Sequence, residues 1–199
     1  MIAIIDYGMG NLRSVQKAFE YLGMEAVITE EIEVMQKADK VVLPGVGAFK
    51  DAMETIRKKG IDSFLWETVK QQKPLLGICL GMQMFFEKSY EYGEHKGLGI
   101  LQGEIKRLPD GVKVPHMGWN SLDIKKKMPL FEGLSQESYV YFVHSYYLQT
   151  EADIVSATTY YGKEIQVAAQ KDKVFALQFH PEKSGEVGLK ILKNFGRMQ

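Results

Sequence analysis

The first eighty residues alternate between short apolar, β-branched runs and longer amphipathic segments. The short runs are IAIID (residues 2–6), AVIT (26–29), KVVLPG (40–45) and PLLGICLG (74–81), and helical patterns cover residues 11–22, 50–58 and 61–72. Strands that alternate with helices form parallel sheets, because each helix carries the chain back across the sheet. The sequence therefore predicts an α/β fold with a mostly parallel central sheet flanked by helices.

The pattern changes after a glycine-rich stretch at residues 93–103. Four strand-like segments follow with only short turns between them, at residues 139–148, 153–162, 165–172 and 174–182. This order is typical of antiparallel hairpins, which we expect beside the parallel sheet. A last helix should begin after Ser184 as its N-cap. Its apolar side chains recur at helical spacing and are Val187, Ile191, Leu192, Phe195 and Met198.

The composition limits the classes of function. A chain of 199 residues that is 45% hydrophobic can form one domain over residues 1–199. Lysine plus arginine and aspartate plus glutamate both number 25, so no charge surplus indicates a nucleic-acid partner. The single cysteine cannot form an internal disulfide, and the first residues do not resemble a secretory signal. No run approaches the roughly 20 apolar residues of a membrane span. We expect a cytoplasmic protein without a cofactor or a metal.

The stretch DYGMGNLRS (residues 6–14) lies where a dinucleotide-binding G-x-G-x-x-G motif would lie, between a strand and a helix. Glu30 or Glu31 follows at a suitable distance. The third glycine, however, is replaced by Arg13, whose bulk interferes with close packing of the helix on the strand. We therefore favour a tight turn with another purpose.

The stretch GICLGMQ (residues 77–83) has the form of a nucleophile elbow, with cysteine in the place where many hydrolases have serine. Gly77 and Gly81 provide the small neighbours that a sharp strand-to-helix turn requires. Cys79 would lie at the positive end of the following helix, with the N–H of Leu80 directed at a substrate oxyanion. Alternatively, Cys79 is a small buried hydrophobic residue and the glycines only permit packing.

A cysteine nucleophile requires a base, and the chain has four histidines: His95, His116, His144 and His180. In LQFHPEKS, His180 and Glu182 are two residues apart. If this segment is extended, both face the same side, and Glu182 can orient the imidazole. The alternative is a structural histidine paired with Glu182 at the end of a strand.

GICLGMQ together with FHPEKS resembles the class I glutamine amidotransferases, over nearly the whole chain. The resemblance implies a flavodoxin-like, single-domain fold with a parallel sheet and an additional antiparallel portion. It also implies that Cys79 attacks the side-chain amide of glutamine, that His180 protonates the departing ammonia and that Glu182 completes the triad. The thioester is then hydrolysed to glutamate.

Four further stretches narrow the resemblance: DYGMGNLRSV (6–15), LPGVGAF (43–49), PHMGWN (115–120) and YFVHSYY (141–147). They resemble separate glutaminase subunits that supply ammonia for histidine biosynthesis. The implied oxyanion hole consists of Val46, Gly47 and Leu80. The implied substrate contacts are Gly45, Gln83, Glu91, His144, Ser145 and Tyr146. Without the resemblance, PGVG is an ordinary turn, and Gln83 and Glu91 are solvated side chains.

The resemblance also implies a heterodimer with a (β/α)8-barrel cyclase subunit, and no nucleic-acid or membrane partner. PHMGWN shows little strand or helix pattern, as expected of a docking segment. The implied partner-facing residues are Asn11, Met117, Trp119 and Lys183. Three alternatives remain: a cysteine hydrolase of the same fold such as a peptidase or deglycase, the glutaminase subunit of another amidotransferase, and a non-catalytic regulatory module.

Overall fold

The secondary structure follows the predicted alternation in the first half and is richer in strands afterwards. The computed structural model describes residues 1–198. The helices are α1 (Leu12–Tyr21), α2 (Ile32–Lys37), α3 (Phe49–Lys58), α4 (Ile61–Lys70), α5 (Leu80–Met84) and α6 (Gly185–Arg197). The strands are β1 (Ile2–Ile5), β2 (Ala26–Thr29), β3 (Lys40–Gly45), β4 (Leu75–Cys79), β5 (Lys88–Ser89), β6 (His95–Lys96), β7 (Glu104–Arg107), β8 (His116–Ser121), β9 (Asp123–Ile124), β10 (Tyr139–His144), β11 (Tyr146–Gln149), β12 (Val155–Tyr161), β13 (Lys163–Lys171) and β14 (Val174–Leu177). Short 3-10 turns lie at Pro129–Phe131 and Pro181–Lys183.

The parallel sheet that the alternation predicts is confirmed. Its strands lie in the order β2-β1-β3-β4-β14, and every neighbouring pair is parallel. All residues of β1, β4 and β14 are buried, because helices cover both faces of the sheet. The carboxyl end of β4 thus places Cys79 at the edge where parallel α/β sheets bind ligands.

The antiparallel portion is also confirmed, with one difference in its strands. Strand β13 pairs antiparallel with β14, β12 and β11, and thereby extends the main sheet. The segment 139–148, which reads as a single strand, divides at Ser145 into β10 and β11. Strand β10 leaves the main sheet and pairs with β8 in a separate two-stranded sheet.

Three local expectations were wrong. PHMGWN contains strand β8, because β10 supplies a hydrogen-bonding partner that the local pattern does not reveal. The segment 174–182 is not extended throughout: the strand ends at Leu177, and Pro181 starts a 3-10 turn. Ser184 precedes α6, but within residues 1–198 its side chain makes no capping bond to the helix. Its hydroxyl donates to the carbonyl of His180 (2.6 Å) and accepts the N–H of Tyr141 (2.9 Å), which fixes the turn instead.

Apolar side chains form a layer on each face of the sheet. On one face, α1 packs against α6, where the rings of Phe19 and Phe195 are 6.3 Å apart. On the other face, α3 and α4 contribute Met53, Ile56 and Leu65. Within residues 1–198, no helix combines the length and the apolar content that a bilayer crossing demands.

Candidate active site

Cys79 occupies a strained turn between β4 and α5. Its φ of 54° and ψ of −114° lie outside the regions that L-residues usually adopt. Strain of this kind persists where the surrounding structure holds it, and it is concentrated at functional sites. This geometry is that of a nucleophile elbow, with a cysteine that is free and 8% exposed.

Both glycines beside Cys79 are required by packing. A Cβ atom on Gly81 would overlap the backbone carbonyl of Leu43 in β3. A Cβ atom on Gly77 would lie 2.5 Å from Phe85 Cε2 and 2.7 Å from Met82 Cα. The glycines therefore allow α5 to fold back closely against β3 and β4, which turns Cys79 outward at the end of its strand.

His180 and Glu182 form a buried pair in the 3-10 turn after β14. His180 Nδ1 lies 2.8 Å from Glu182 Oε1, and their side chains are 3% and 1% exposed. The pairing that sequence spacing suggested is present, although a turn rather than strand alternation produces it. Within residues 1–198, Nε2 of His180 has no hydrogen-bond partner and is thus available for a proton transfer.

The protonation of His180 couples it to Cys79. Burial alone lowers the pKa of His180, but the adjacent sulfur of Cys79 and the carboxylate of Glu182 outweigh burial and raise this pKa to about 10. At neutral pH the imidazole therefore carries a proton. The imidazole can therefore give this proton to a leaving group beside Cys79.

The sulfur of Cys79 also contacts a buried amide network. Gln178 Nε2 lies 3.8 Å from Sγ, and the carbonyl of Val143 lies at the same distance. Gln178 Oε1 in turn accepts a bond from Gln83 Nε2 (2.9 Å), which also donates to the carbonyl of Tyr146 (3.1 Å). Sequence analysis missed Gln178, although a glutamine in the apolar run VFALQFH could have indicated it.

A cavity of about 310 Å³ opens above Cys79, within the size range of small-molecule sites. Its lining is Val46, Gly47, Cys79, Leu80, Gln83, Glu91, Pro115, Val143, His144, Ser145, Tyr146 and His180. The fold thus gathers most of the predicted catalytic, oxyanion and substrate-binding residues around one cavity, together with Pro115 and Val143, which the sequence did not suggest. Larger surface cavities, of about 490 and 710 Å³, contain no cysteine or histidine.

Gly45 and Glu182 lie outside the lining of this cavity. Glu182 is behind His180, as a triad carboxylate should be. Gly45 is paired in register with Cys79, and a Cβ atom on it would collide with the hydroxyl of Tyr7. That hydroxyl is buried and has no partner within residues 1–198. Burial and the charge of Cys79 raise the pKa of Tyr7 well above its usual value, a feature that the sequence did not suggest.

Glu91 lines the cavity and also anchors a helix. Its Oε2 accepts the N–H of Phe49 at 2.5 Å, at the start of α3. This bond ties the loop that carries Glu91 to the start of α3. The contact between Glu91 and a substrate ammonium remains a prediction.

Three of the predicted partner-facing residues, Met117, Trp119 and Lys183, lie near one another. Met117 and Trp119 are on β8 and are 62% and 55% exposed. The ring of Trp119 packs edge-on against Tyr141, with centroids 6.1 Å apart, and Lys183 Nζ lies 6.0 Å from the centroid of the same ring. Asn11 precedes α1, which packs against the turn that contains Lys183.

A cysteine elbow on a parallel sheet, with a histidine and a carboxylate at its end, suits an amidotransferase or a cysteine hydrolase of the same fold. The chain belongs to the class I glutamine amidotransferases, because the profile of the family described as Glutamine amidotransferase class-I matches residues 3–198. It is 54% identical over 199 residues to imidazole glycerol phosphate synthase subunit HisH of Caldanaerobacter subterraneus subsp. tengcongensis, with 100% of this chain and 98% of that protein covered. Its identity to the subunit of the same name from Aquifex aeolicus is 53% over 196 residues, with 98% and 95% covered.

Solved structures agree on the fold. A crystal structure of a glutamine amidotransferase superimposes with a TM-score of 0.78 at 22% identity, covering 98% of this chain and 100% of the other. At this identity the similarity supports the architecture alone.

Proposed function

We propose that the chain is the glutaminase subunit of an imidazole glycerol phosphate synthase. It hydrolyses L-glutamine to L-glutamate and ammonia and delivers the ammonia to a cyclase subunit in histidine biosynthesis. The observation that carries the chemistry is the cavity at which Cys79 and His180 meet, with Glu182 behind. The similarity to HisH subunits over the full chain specifies the pathway.

In the proposed first half-reaction, the thiolate of Cys79 attacks the side-chain amide carbon of glutamine. The negative charge passes to the amide oxygen, which the N–H of Leu80 and the amides of Val46 or Gly47 stabilise. The amide nitrogen then takes the proton from His180 Nε2 and leaves as ammonia, which produces a thioester on Cys79. Glu182 holds Nδ1 and keeps Nε2 directed at the reacting atoms.

In the second half-reaction, water replaces ammonia. Nε2 of His180, now without its proton, accepts a proton from water as the water oxygen attacks the thioester carbon. The tetrahedral intermediate expels the thiolate, glutamate leaves, and His180 is protonated again. The charges on Cys79 and His180 at the end are those at the start.

The proposed partner is a (β/α)8-barrel cyclase that consumes the ammonia. Free ammonia takes up a proton in neutral water and loses its nucleophilic lone pair, so a protected route between subunits preserves its reactivity. Met117, Trp119 and Lys183 lie on a surface beside the cavity, which suits such a route. Exposed Trp and Met are enriched at the centres of protein interfaces.

The first test is the release of glutamate from glutamine by the purified chain, alone and with the barrel cyclase and its nucleotide ligand. Strong stimulation by the liganded partner supports the proposal. No release under either condition, with circular dichroism showing an intact fold, contradicts it and favours a regulatory module.

Trp119→Ala is expected to weaken the complex with the cyclase about thirtyfold, as removal of a central interface tryptophan commonly costs about 2 kcal/mol. Isothermal titration calorimetry measures the dissociation constant. The matched control is Trp66→Ala, which removes the other tryptophan, 40% exposed on α4. Equal affinities of the two variants would exclude Trp119 from the interface.

The stability of the protein should depend on pH through His180. Its pKa is raised from 6.5 to about 10 on folding, so the folded state holds this proton more tightly than the unfolded state. The resulting stabilisation is complete below about pH 6.5 and is lost as pH rises toward 10. Urea unfolding should therefore show the advantage of the wild type over His180→Gln decreasing across this range. A difference between the wild type and His180→Gln that stayed constant across this range would contradict the coupling.

A further inference from the structure

Strands β8 and β10 place two buried histidines directly opposite each other. His116 and His144 are cross-strand partners in the antiparallel pair, and their side chains are hydrogen-bonded. Nδ1 of His116 lies 3.0 Å from Nε2 of His144, and the two residues are 3% and 5% exposed. Neither belongs to the triad, and although His144 lines the cavity, the proposed mechanism gives the bond between the two rings no purpose.

The hydrogen-bond partners determine which nitrogen of each ring is protonated. The carbonyl of Tyr146 can only accept, so Nδ1 of His144, 2.8 Å away, must be its donor. Nε2 of a neutral His144 then accepts, and Nδ1 of His116 donates to it. Nε2 of His116 accepts in turn from Asn120 Nδ2, at 3.3 Å. Asn120 is oriented by a second bond from Nδ2 to the carbonyl of Tyr160, at 3.0 Å.

This chain of bonds requires both rings to be neutral. A proton added to either acceptor nitrogen would make two N–H groups face each other and break the chain. The surroundings oppose such a proton: burial lowers the pKa of His116 to about 4 and is the main cause that lowers the pKa of His144 to about 3. His116 is also held between the rings of Phe142 and Tyr161, with centroids 4.7 and 3.9 Å away.

One end of this series of hydrogen bonds is at the wall of the cavity. The Tyr146 carbonyl that His144 holds also accepts from Gln83 Nε2, and Gln83 is bonded through Gln178 to the sulfur of Cys79. At the other end, Asn120 is on β8, the strand that presents Met117 and Trp119 outward. Successive residues of a strand face opposite sides. Strand β8 therefore carries His116 and Asn120 on its inner face and the proposed partner surface on its outer face.

We propose that His116 and His144 are positioning residues: as a neutral pair, both with the proton on Nδ1, they hold the Tyr146 wall of the glutamine site and fix it to strand β8. The proposal rests on the proposed glutaminase function for its kinetic consequence. The pair does not touch the reacting atoms, so it acts on substrate positioning rather than on the chemical step.

Nuclear magnetic resonance on the wild-type chain tests the pairing directly. Long-range proton–nitrogen correlation spectra distinguish a protonated from an acceptor nitrogen in each imidazole. At pH 7 both His116 and His144 should be neutral with the proton on Nδ1. A charged ring, or a proton on Nε2 of either one, would overturn the proposal.

Kinetics of His116→Leu in the complex with the cyclase and its nucleotide ligand test the positioning. Leucine keeps the apolar packing but removes the donor to His144, and the KM for glutamine should rise about tenfold with kcat changed less than about threefold. His116→Asn retains an N–H near the position of Nδ1, and its KM should therefore return most of the way to the wild-type value. His95→Leu, at a half-buried histidine on β6, is the matched control and should behave as the wild type.

Alkylation of the single cysteine by iodoacetamide separates a local effect from general damage. This small reagent reaches Cys79 without the contacts that hold glutamine. His116→Leu should therefore react at the wild-type rate although its KM for glutamine is raised. An unchanged KM, or a raised KM accompanied by an equally large fall in kcat and in the alkylation rate, would overturn the positioning assignment. If the wild-type complex itself releases no glutamate, it is the proposed function that fails.

Discussion

Cys79→Ala should reduce the glutamine-dependent synthesis of imidazole glycerol phosphate by the complex at least about a thousandfold. The chain has no other thiol that could form the thioester. Synthesis from added ammonium salts should stay within about twofold of the wild type, since ammonia then reaches the cyclase without the glutaminase reaction. The measurement is product formation by the complex with each nitrogen source.

Two controls make the result of Cys79→Ala decisive. The variant should bind the cyclase with unchanged affinity, because Cys79 lies in the cavity and is 8% exposed. Cys79→Ser retains a hydroxyl that can accept the bond from Gln178 and should be nearly as inactive with glutamine, because the hydroxyl is a far weaker nucleophile than a thiolate. Loss of both the glutamine-dependent and the ammonia-dependent activity in Cys79→Ala would instead indicate that Cys79 is needed for the structure of the complex.

The parallel half of the fold could be predicted because its signals are local. Strands β1 and β4 are continuous apolar runs, and β3 is apolar after Lys40, which is typical of strands covered on both faces. Strand β8 could not be predicted, because its sequence HMGWNS contains a glycine and most of its residues are exposed or half-buried, so it lacks the apolar run of a buried strand. Its extended form depends on pairing with β10, and that contact is tertiary.

The residues of the candidate site also divide into those with a local sequence signal and those that only tertiary contacts reveal. Cys79 was indicated by its two glycines and His180 by its neighbour Glu182, so both carried a local pattern. Gln178 and Tyr7 carried none, since what distinguishes them is burial beside Cys79 rather than their sequence neighbours. The pairing of His116 with His144 likewise follows from strand register, which links residues 28 positions apart.

Ser184 illustrates how a correct residue can be given the wrong purpose. A serine before a helix predicts a cap, and α6 does begin after it. The hydroxyl is bonded instead to the backbone of His180 and Tyr141. A cap stabilises only its own helix, whereas these bonds join the turn of the triad to strand β10.

Gly81→Ala is expected to lower the free energy of unfolding by on the order of 3 kcal/mol and the Tm by about 10 °C, and to abolish glutaminase activity. The added methyl group would overlap the carbonyl of Leu43, a backbone atom of the central sheet that cannot turn aside. Either β3 or α5 must move, and both flank Cys79. Unfolding in urea and glutamate release by the complex measure the two effects.

The matched control for Gly81→Ala is Gly196→Ala. Gly196 is in α6, and an added methyl group there would meet the side chain of Met24, whose flexible end can move away. Stability and glutaminase activity should therefore stay close to those of the wild type. If Gly81→Ala were as stable and as active as this control, the elbow would tolerate displacement, and the strained backbone of Cys79 would not depend on the close approach of α5 to β3. If stability were kept while activity was lost, the predicted loss of stability would be wrong, and the contact would serve mainly to hold Cys79 in its strained conformation.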